Sequence, residues 1–240
     1  MTRYLIIFIN PALLLAGFWL FFYNQSGLWW LLGFSLLLIL LSGQIIARHY
    51  FFSFKNLWFN LAVAYLAQLL FLLLLSSNSL RYFLAFFLSL LWSVLWWILK
   101  KHFDSRRVME KKEYLSFNKF FYYLSFWFLA VSLYSFVVFL NFSLFNMLLV
   151  ITLTTFFWSK EIIQSNENLN FWQAIFISFL VFQVAGAVYL LPLSFYVAGT
   201  ILTIFLFFVL ENLLSRIAYF RWYLGLFFLS FIVLLVSSIF

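Results

Sequence analysis

Residues 82–140 read YFLAFFLSLLWSVLWWIL, then KKHFDSRRVMEKKEYLSFNK from Lys100 to Lys119, then FFYYLSFWFLAVSLYSFVVFL from Phe120 to Leu140. The two flanking runs hold no ionisable side chain except tyrosine, and each is long enough to cross a hydrocarbon core of about 30 Å as a helix rising about 1.5 Å per residue. The segment between them carries seven basic and three acidic residues, which stay out of hydrocarbon because a charge at its centre costs several kcal/mol. An apolar run, a charged segment and a second apolar run describe two membrane helices joined at one face of a bilayer. The fold class that follows is all-α, a polytopic transmembrane helical bundle.

The same reading, extended in both directions, finds runs at Tyr4 to Tyr23, Leu28 to Ala47, Leu57 to Leu75, Tyr82 to Leu99, Phe120 to Leu140, Leu144 to Trp158, Phe171 to Leu190, Leu193 to Leu210 and Trp222 to Phe240. That gives about nine spans. The sixth run is the shortest, so eight spans are the alternative. The first run follows Arg3 but is too long for a signal-peptide core and lacks a small-x-small cleavage site, so we expect it to be retained. No Gly/Ser/Pro-rich linker interrupts the chain, and residues 1–240 read as a single integral membrane domain. FSFKN (Phe52 to Asn56) resembles LSFNK (Leu115 to Lys119), but a chain rich in Phe and Leu produces such matches by chance.

Composition agrees. Apolar residues make up 68% of the chain and charged residues 8%, too few polar groups to cover a water-soluble globule. With no cysteine, disulfides, thiolate metal sites and cysteine nucleophiles are excluded. Glycine numbers 7 and proline 2, which predicts continuous helices rather than spans broken to bind ions; Pro11 and Pro192 are expected near helix ends or turns.

The net charge of +8 suggests nucleic acid only until the charges are placed. With the N-terminus cytoplasmic, Arg3, Arg48, Lys55, Lys100, Lys101, Arg106, Arg107, Lys111, Lys112, Lys119, Lys160, Arg216 and Arg221 all lie inside, and of the 14 basic residues only Arg81 lies outside. This is the bias that orients membrane proteins. It puts the C-terminus outside, makes 100–119 a cytoplasmic basic loop and points to the plasma membrane. The outer connections near Asn24 to Gly27, Ser76 to Arg81, Asn141 to Ser143 and Leu191 to Pro192 are short. Asn24 and Asn141 match the N-glycosylation pattern, yet we expect neither to be modified so close to a membrane.

No ionisable residue sits in the middle of any run, which argues against ion coupling or a Schiff-base lysine. Gln68 and Gln183, each roughly a dozen residues from the cytoplasmic end of its run, are candidates for a polar cavity or for helix packing through amide hydrogen bonds. Thr152, Thr154 and Thr155 can bond their own helix. His49, His102, Asp104, Glu110, Glu161 and Glu211 collect near the cytoplasmic face without metal-ligand spacing, so no cofactor, metal or catalytic residue is assigned. Trp29, Trp30, Trp58, Trp96, Trp97, Trp172 and Trp222 near run ends suggest interfacial belts. Lys100, Lys101, Arg106, Arg107, Lys111 and Lys112 are candidates for headgroup or partner contact; nothing accompanies them that would read nucleic acid.

Three function classes fit. A membrane subunit or scaffold that binds lipids or a membrane-protein partner needs no special residues. A transporter or permease component for a hydrophobic or lipid-like substrate would use Gln68, Gln183, Asn10, Gln44, Tyr134 and Tyr189. A lipid-modifying enzyme would need His49, His102, Asp104 and Glu211 to converge.

Overall fold

Backbone N–H and C=O groups in hydrocarbon have no partner but the chain itself, so an apolar run of this length folds as a helix. A computed structural model of the protein describes residues 2–23, 28–47, 55–104, 108–164 and 171–215, and among them finds helices and short turns only. The eight helices are α1 (Thr2–Tyr23), α2 (Leu28–Ala47), α3 (Lys55–Leu74), α4 (Asn78–Asp104), α5 (Val108–Leu140), α6 (Leu144–Gln164), α7 (Phe171–Tyr189) and α8 (Phe195–Ser215). The hairpin tip at 24–27 and the run Trp222 to Phe240 lie outside the described residues.

Among the described residues, three stretches are long and apolar enough to cross a membrane: Asn78–Phe103, Ser116–Leu140 and Phe171–Tyr189. Large side chains face outward over much of the surface, with Phe83 70%, Phe139 66%, Phe145 66% and Trp172 75% exposed, which water would not tolerate over so many neighbouring positions. The protein is a helical membrane protein.

Helix ends differ from run ends for a physical reason. Apolar runs record the thickness of the bilayer, whereas helices stop where capping or chain-breaking residues stop them. The segment 100–119, read as a loop, is helical up to Asp104 and again from Val108; it holds Lys, Glu, Arg and Met, all good helix formers, and no Gly or Pro. α6 likewise continues past Trp158 through Lys160 and Glu161 to Gln164. Pro11 lies inside α1 rather than near its end. Its ring removes one N–H from the ladder, and α1 runs on for three turns beyond it.

The short connections are capped. The Arg81 N–H donates to Ser77 O at 3.1 Å at the start of α4. The Arg81 guanidinium reaches Asn78 Oδ1 and Leu73 O, both at 3.5 Å, so it covers the carbonyl end of α3, where a cation is favoured. Asn141, φ 52°, takes the left-handed turn between α5 and α6, a conformation Asn adopts more readily than most residues. Ser194 caps α8, its Oγ accepting from Val197 N at 3.4 Å.

The chain forms two compact units, 1–121 and 122–240. In the first, α4 packs against each of α1, α2 and α3. In the second, α6 packs on α7 and α7 on α8, while α5 bonds to all three. The apolar window of α5 is 61% buried, against 33% for α7; α5 is a central helix and α7 has an outward face.

α5 and α8 run antiparallel with a register set by Phe139 against Phe195 (5.6 Å between ring centroids) and Tyr123 against Phe207 (5.1 Å). Between these, Gly199 lets the backbones close in. A Cβ there would lie 2.5 Å from Val131 Cγ2 and 2.8 Å from Val131 N. Gly199→Ala is therefore expected to destabilise the second unit by about 1–3 kcal/mol through overpacking, seen as a lower unfolding midpoint in detergent. Gly33→Ala, where an added Cβ meets nothing within 4 Å, should leave the midpoint unchanged or raise it, since Ala is favoured over Gly in helices by up to about 1 kcal/mol.

Candidate functional site

Asn10, Ser42 and Gln68 of the first unit join Trp92 and Trp96 in one connected seam on α4. Trp92 and Trp96 are one turn apart and so share a face; both are fully buried, with ring centroids 5.7 Å apart. Trp92 Nε1 donates to Gln68 Oε1 of α3 at 2.8 Å. Trp96 Nε1 donates to Asn10 Oδ1 of α1 at 3.3 Å. The Asn10 amide nitrogen in turn donates to Leu38 O at 3.1 Å and to Ser42 Oγ, both on α2. Rings complete the seam: Tyr65 meets Trp92 edge-on at 6.2 Å, Phe18 stacks on Tyr65 at 6.0 Å, and Phe121 meets Trp92 edge-on at 5.2 Å. Two indoles and two amides thus join all four helices of the unit.

The second unit is held by a row of bonds from α5. Neighbouring tyrosines reach different helices: Tyr122 OH donates to Glu161 Oε2 of α6 at 2.7 Å, and Tyr123 OH donates to Glu211 Oε1 of α8 at 3.2 Å. Trp158 stacks flat on Tyr122 at 5.3 Å with planes 10° apart. Further along, Trp127 Nε1 donates to Thr200 Oγ1 at 2.9 Å, and Tyr134 OH donates to Ala185 O of α7 at 2.9 Å. Thr152 and Thr155 donate back to Leu148 O and Ile151 O of their own helix, as threonine commonly does in a helix. Trp158 Nε1 and Ser159 Oγ are buried with no hydrogen-bond partner among the described residues. Being adjacent on a helix they point about 100° apart, so they do not converge on a single ligand.

The residues singled out from sequence fall in different places. Gln68 is buried and bonded as above, whereas Gln183 is exposed on α7; the two do not share an environment. Of the pathway candidates, Asn10 and Tyr134 are buried and hydrogen-bonded, while Gln44 and Tyr189 are exposed. Lys100 and Lys101 are half-buried at the end of α4, and Lys101 Nζ sits 5.7 Å from the centre of the Trp97 ring, a cation–π distance. Lys111 and Lys112 lie on the first turns of α5, their side chains outside the described residues, and Arg106, Arg107 and His49 lie outside them altogether. His102 packs edge-on against Phe103 at 5.5 Å. Among the described residues no group of three or more His, Asp or Glu is placed to hold a metal.

The Trp96/Trp97 pair, read as belt residues, divides. Trp97 is 53% exposed, while Trp96 is buried in the seam. Adjacent residues on a helix face directions about 100° apart, so a pair cannot serve one surface. Trp92 was missed for lying inside a run instead of at its end; its one-turn spacing from Trp96 is the signal that finds it. Tyr122 and Tyr123 are also legible afterwards, as phenols placed where two other helices end in carboxylates.

The Asn10–Trp96 bond carries a measurable expectation. Asn10→Ala and Trp96→Phe each lower the unfolding midpoint, and a double-mutant cycle between them returns a coupling of about 0.6–2 kcal/mol, the range for interhelical side-chain bonds in membranes. Independent effects would mean that the bond does not form in the folded protein.

Comparison with known proteins finds no match: no family model, no curated protein and no solved structure is significantly similar to this chain.

Proposed function

We propose that the chain is a multi-pass membrane subunit that binds lipids and partner helices through its outer surface, a single membrane domain of nine spans with the N-terminus cytoplasmic and the C-terminus external, in the plasma membrane. The carrying observation is where the polar groups go. Asn10, Gln68, Trp92, Trp96, Trp127 and Tyr134 are all hydrogen-bonded to neighbouring helices of their own unit, leaving an outer surface of Phe, Leu and Trp. That is the pattern of a protein built to pack in lipid.

The cytoplasmic end of α4 supports a headgroup contact. Lys101 over Trp97 joins a cation to an aromatic at the expected depth of the interface, and Lys100 lies beside it, with Arg106, Arg107, Lys111 and Lys112 next along the chain. Each positioned cation contributes about 1 kcal/mol toward anionic lipid, or roughly a factor of five in affinity.

The permease reading asks Asn10 and Gln68 to face a path, and their present partners are helices. The enzyme reading asks for convergent acids and histidines; Glu161 and Glu211 instead accept from tyrosines of α5.

Two measurements test the proposal. Single cysteines in this cysteine-free chain, probed with a membrane-impermeant thiol reagent, should label residues near 25, 79, 142 and 192 from outside and residues near 106 and 166 from inside; a reversed pattern would refute the orientation. Purification into nanodiscs with mass spectrometry should find anionic lipid retained, with Lys100→Gln plus Lys101→Gln reducing retention roughly twenty-five-fold. Equal retention would remove the headgroup contact.

A further inference from the structure

α7 carries two stripes. One faces its own unit: Ala174, Ile177, Ser178, Val181, Ala185 and Val188 are buried. The other comprises Trp172, Phe176, Phe179, Gln183 and Gly186, with Leu190 in the turn just past the helix end, spaced alternately by four and three residues. Trp172 is 75%, Phe176 56%, Phe179 55% and Leu190 80% exposed, Gln183 is exposed and Gly186 half-exposed. Phe176, Phe179 and Gln183 each lie two positions after a buried residue, which turns the second stripe about 200° from the first. It is a heptad seam with no helix of its own unit packed on it among the described residues.

Gln183 makes this seam unusual. It lies roughly a dozen residues along a membrane-crossing helix, and among the described residues it makes no hydrogen bond. An amide facing hydrocarbon without a partner is costly. Asn10 and Gln68 of the first unit are bonded across helices, and this amide is not.

We propose that a second copy of this chain covers the stripe, forming a parallel α7–α7 pair in which each Gln183 is hydrogen-bonded to its counterpart. The proposal rests on the reading above that α7 spans the bilayer. Two copies inserted in the same orientation are related by a two-fold axis along the membrane normal, so each residue on that axis meets its own copy at its own depth. Carboxylates or ammonium groups would repel there. An amide both donates and accepts, and is complementary to itself. Alternate spacing of three and four is the geometry of a left-handed parallel pair, and one amide among apolar seam positions is the device that sets register and oligomeric state in coiled coils. Gly186 lies one turn past Gln183 and an added Cβ there meets only Leu148 at 4.0 Å, which leaves its outward side open to close approach. Such an interface is isologous and closes at the dimer.

The experiment is oxidative cross-linking of single-cysteine variants of the full chain in native membranes, which contain no competing cysteine from this protein. Phe179→Cys, Gly186→Cys and Leu190→Cys should give disulfide-linked dimers, and Ile177→Cys and Val184→Cys should not. Adding Gln183→Leu to the Leu190→Cys variant should lower the cross-linked fraction, through a dimerisation constant weakened roughly three- to thirty-fold, the effect of losing one interhelical amide bond; Gln183→Asn should retain it. Cross-linking without the stripe's periodicity, or unaffected by Gln183→Leu, overturns the proposal. So does absence of cross-links, which would leave the stripe to lipid, to another protein or to residues 216–240. An impermeant maleimide separates this from failure of the spanning reading: Phe179→Cys labelled from water means that α7 does not span, whereas Phe179→Cys protected but not cross-linked sinks the dimer alone.

Discussion

A hydrogen bond between Trp96 Nε1 and Asn10 Oδ1 would add little to a water-soluble protein, where water competes for both atoms. In hydrocarbon no competitor exists, and leaving either atom alone costs the desolvation of a polar group. Much else in the first unit depends on this condition. The Asn10 amide, once bound to α4, extends its remaining hydrogens to α2, and Trp92 one turn away does the same with Gln68 on α3. Apolar burial cannot hold membrane helices together, because lipid tails are as apolar as leucine. Close packing and a few polar bonds take its place.

Each unit solves this with one central helix. α4 presents two indoles to three partners, while α5 presents phenols, an indole and the Val131 backbone to α6, α7 and α8. The donors are aromatic in both cases. Trp and Tyr join a large packing surface to a single polar atom, and their rings have few rotamers to lose on ordering. Gly199 extends the logic to backbone contact, admitting Val131 where any side chain would hold the helices apart. The abundance of aromatics has a structural use here, with rings both sealing the interior and coating the exterior.

The helical membrane class was legible from the runs flanking Lys100 to Lys119 because hydrocarbon imposes length and composition together. Helix limits were less so. α5 begins at Val108, well before its apolar run at Phe120, since leaving the bilayer does not end a helix that lacks a stop signal. Gln68 and Gln183 looked alike because residue type and depth are all that a linear pattern carries; which side of a helix meets a neighbour is decided by packing, and that separates the bonded amide from the exposed one. Trp96 and Trp97 divide for the same reason. Pairings such as Tyr123 with Glu211, 88 residues apart, depend on which helices become neighbours, and no local signal records that.

On the proposed reading, Asn10, Ser42 and Gln68 hold helices together rather than line a route through the membrane. Cysteines placed singly at Asn10, Ser42 and Gln68 in liposome-reconstituted protein, exposed to a small hydrophilic methanethiosulfonate from either side, test it directly. No modification is expected at any of the three in the folded protein, and full modification after denaturation in SDS. Rapid modification of the folded protein at these positions would mean that water reaches them, and that they line a polar pathway instead of joining helices.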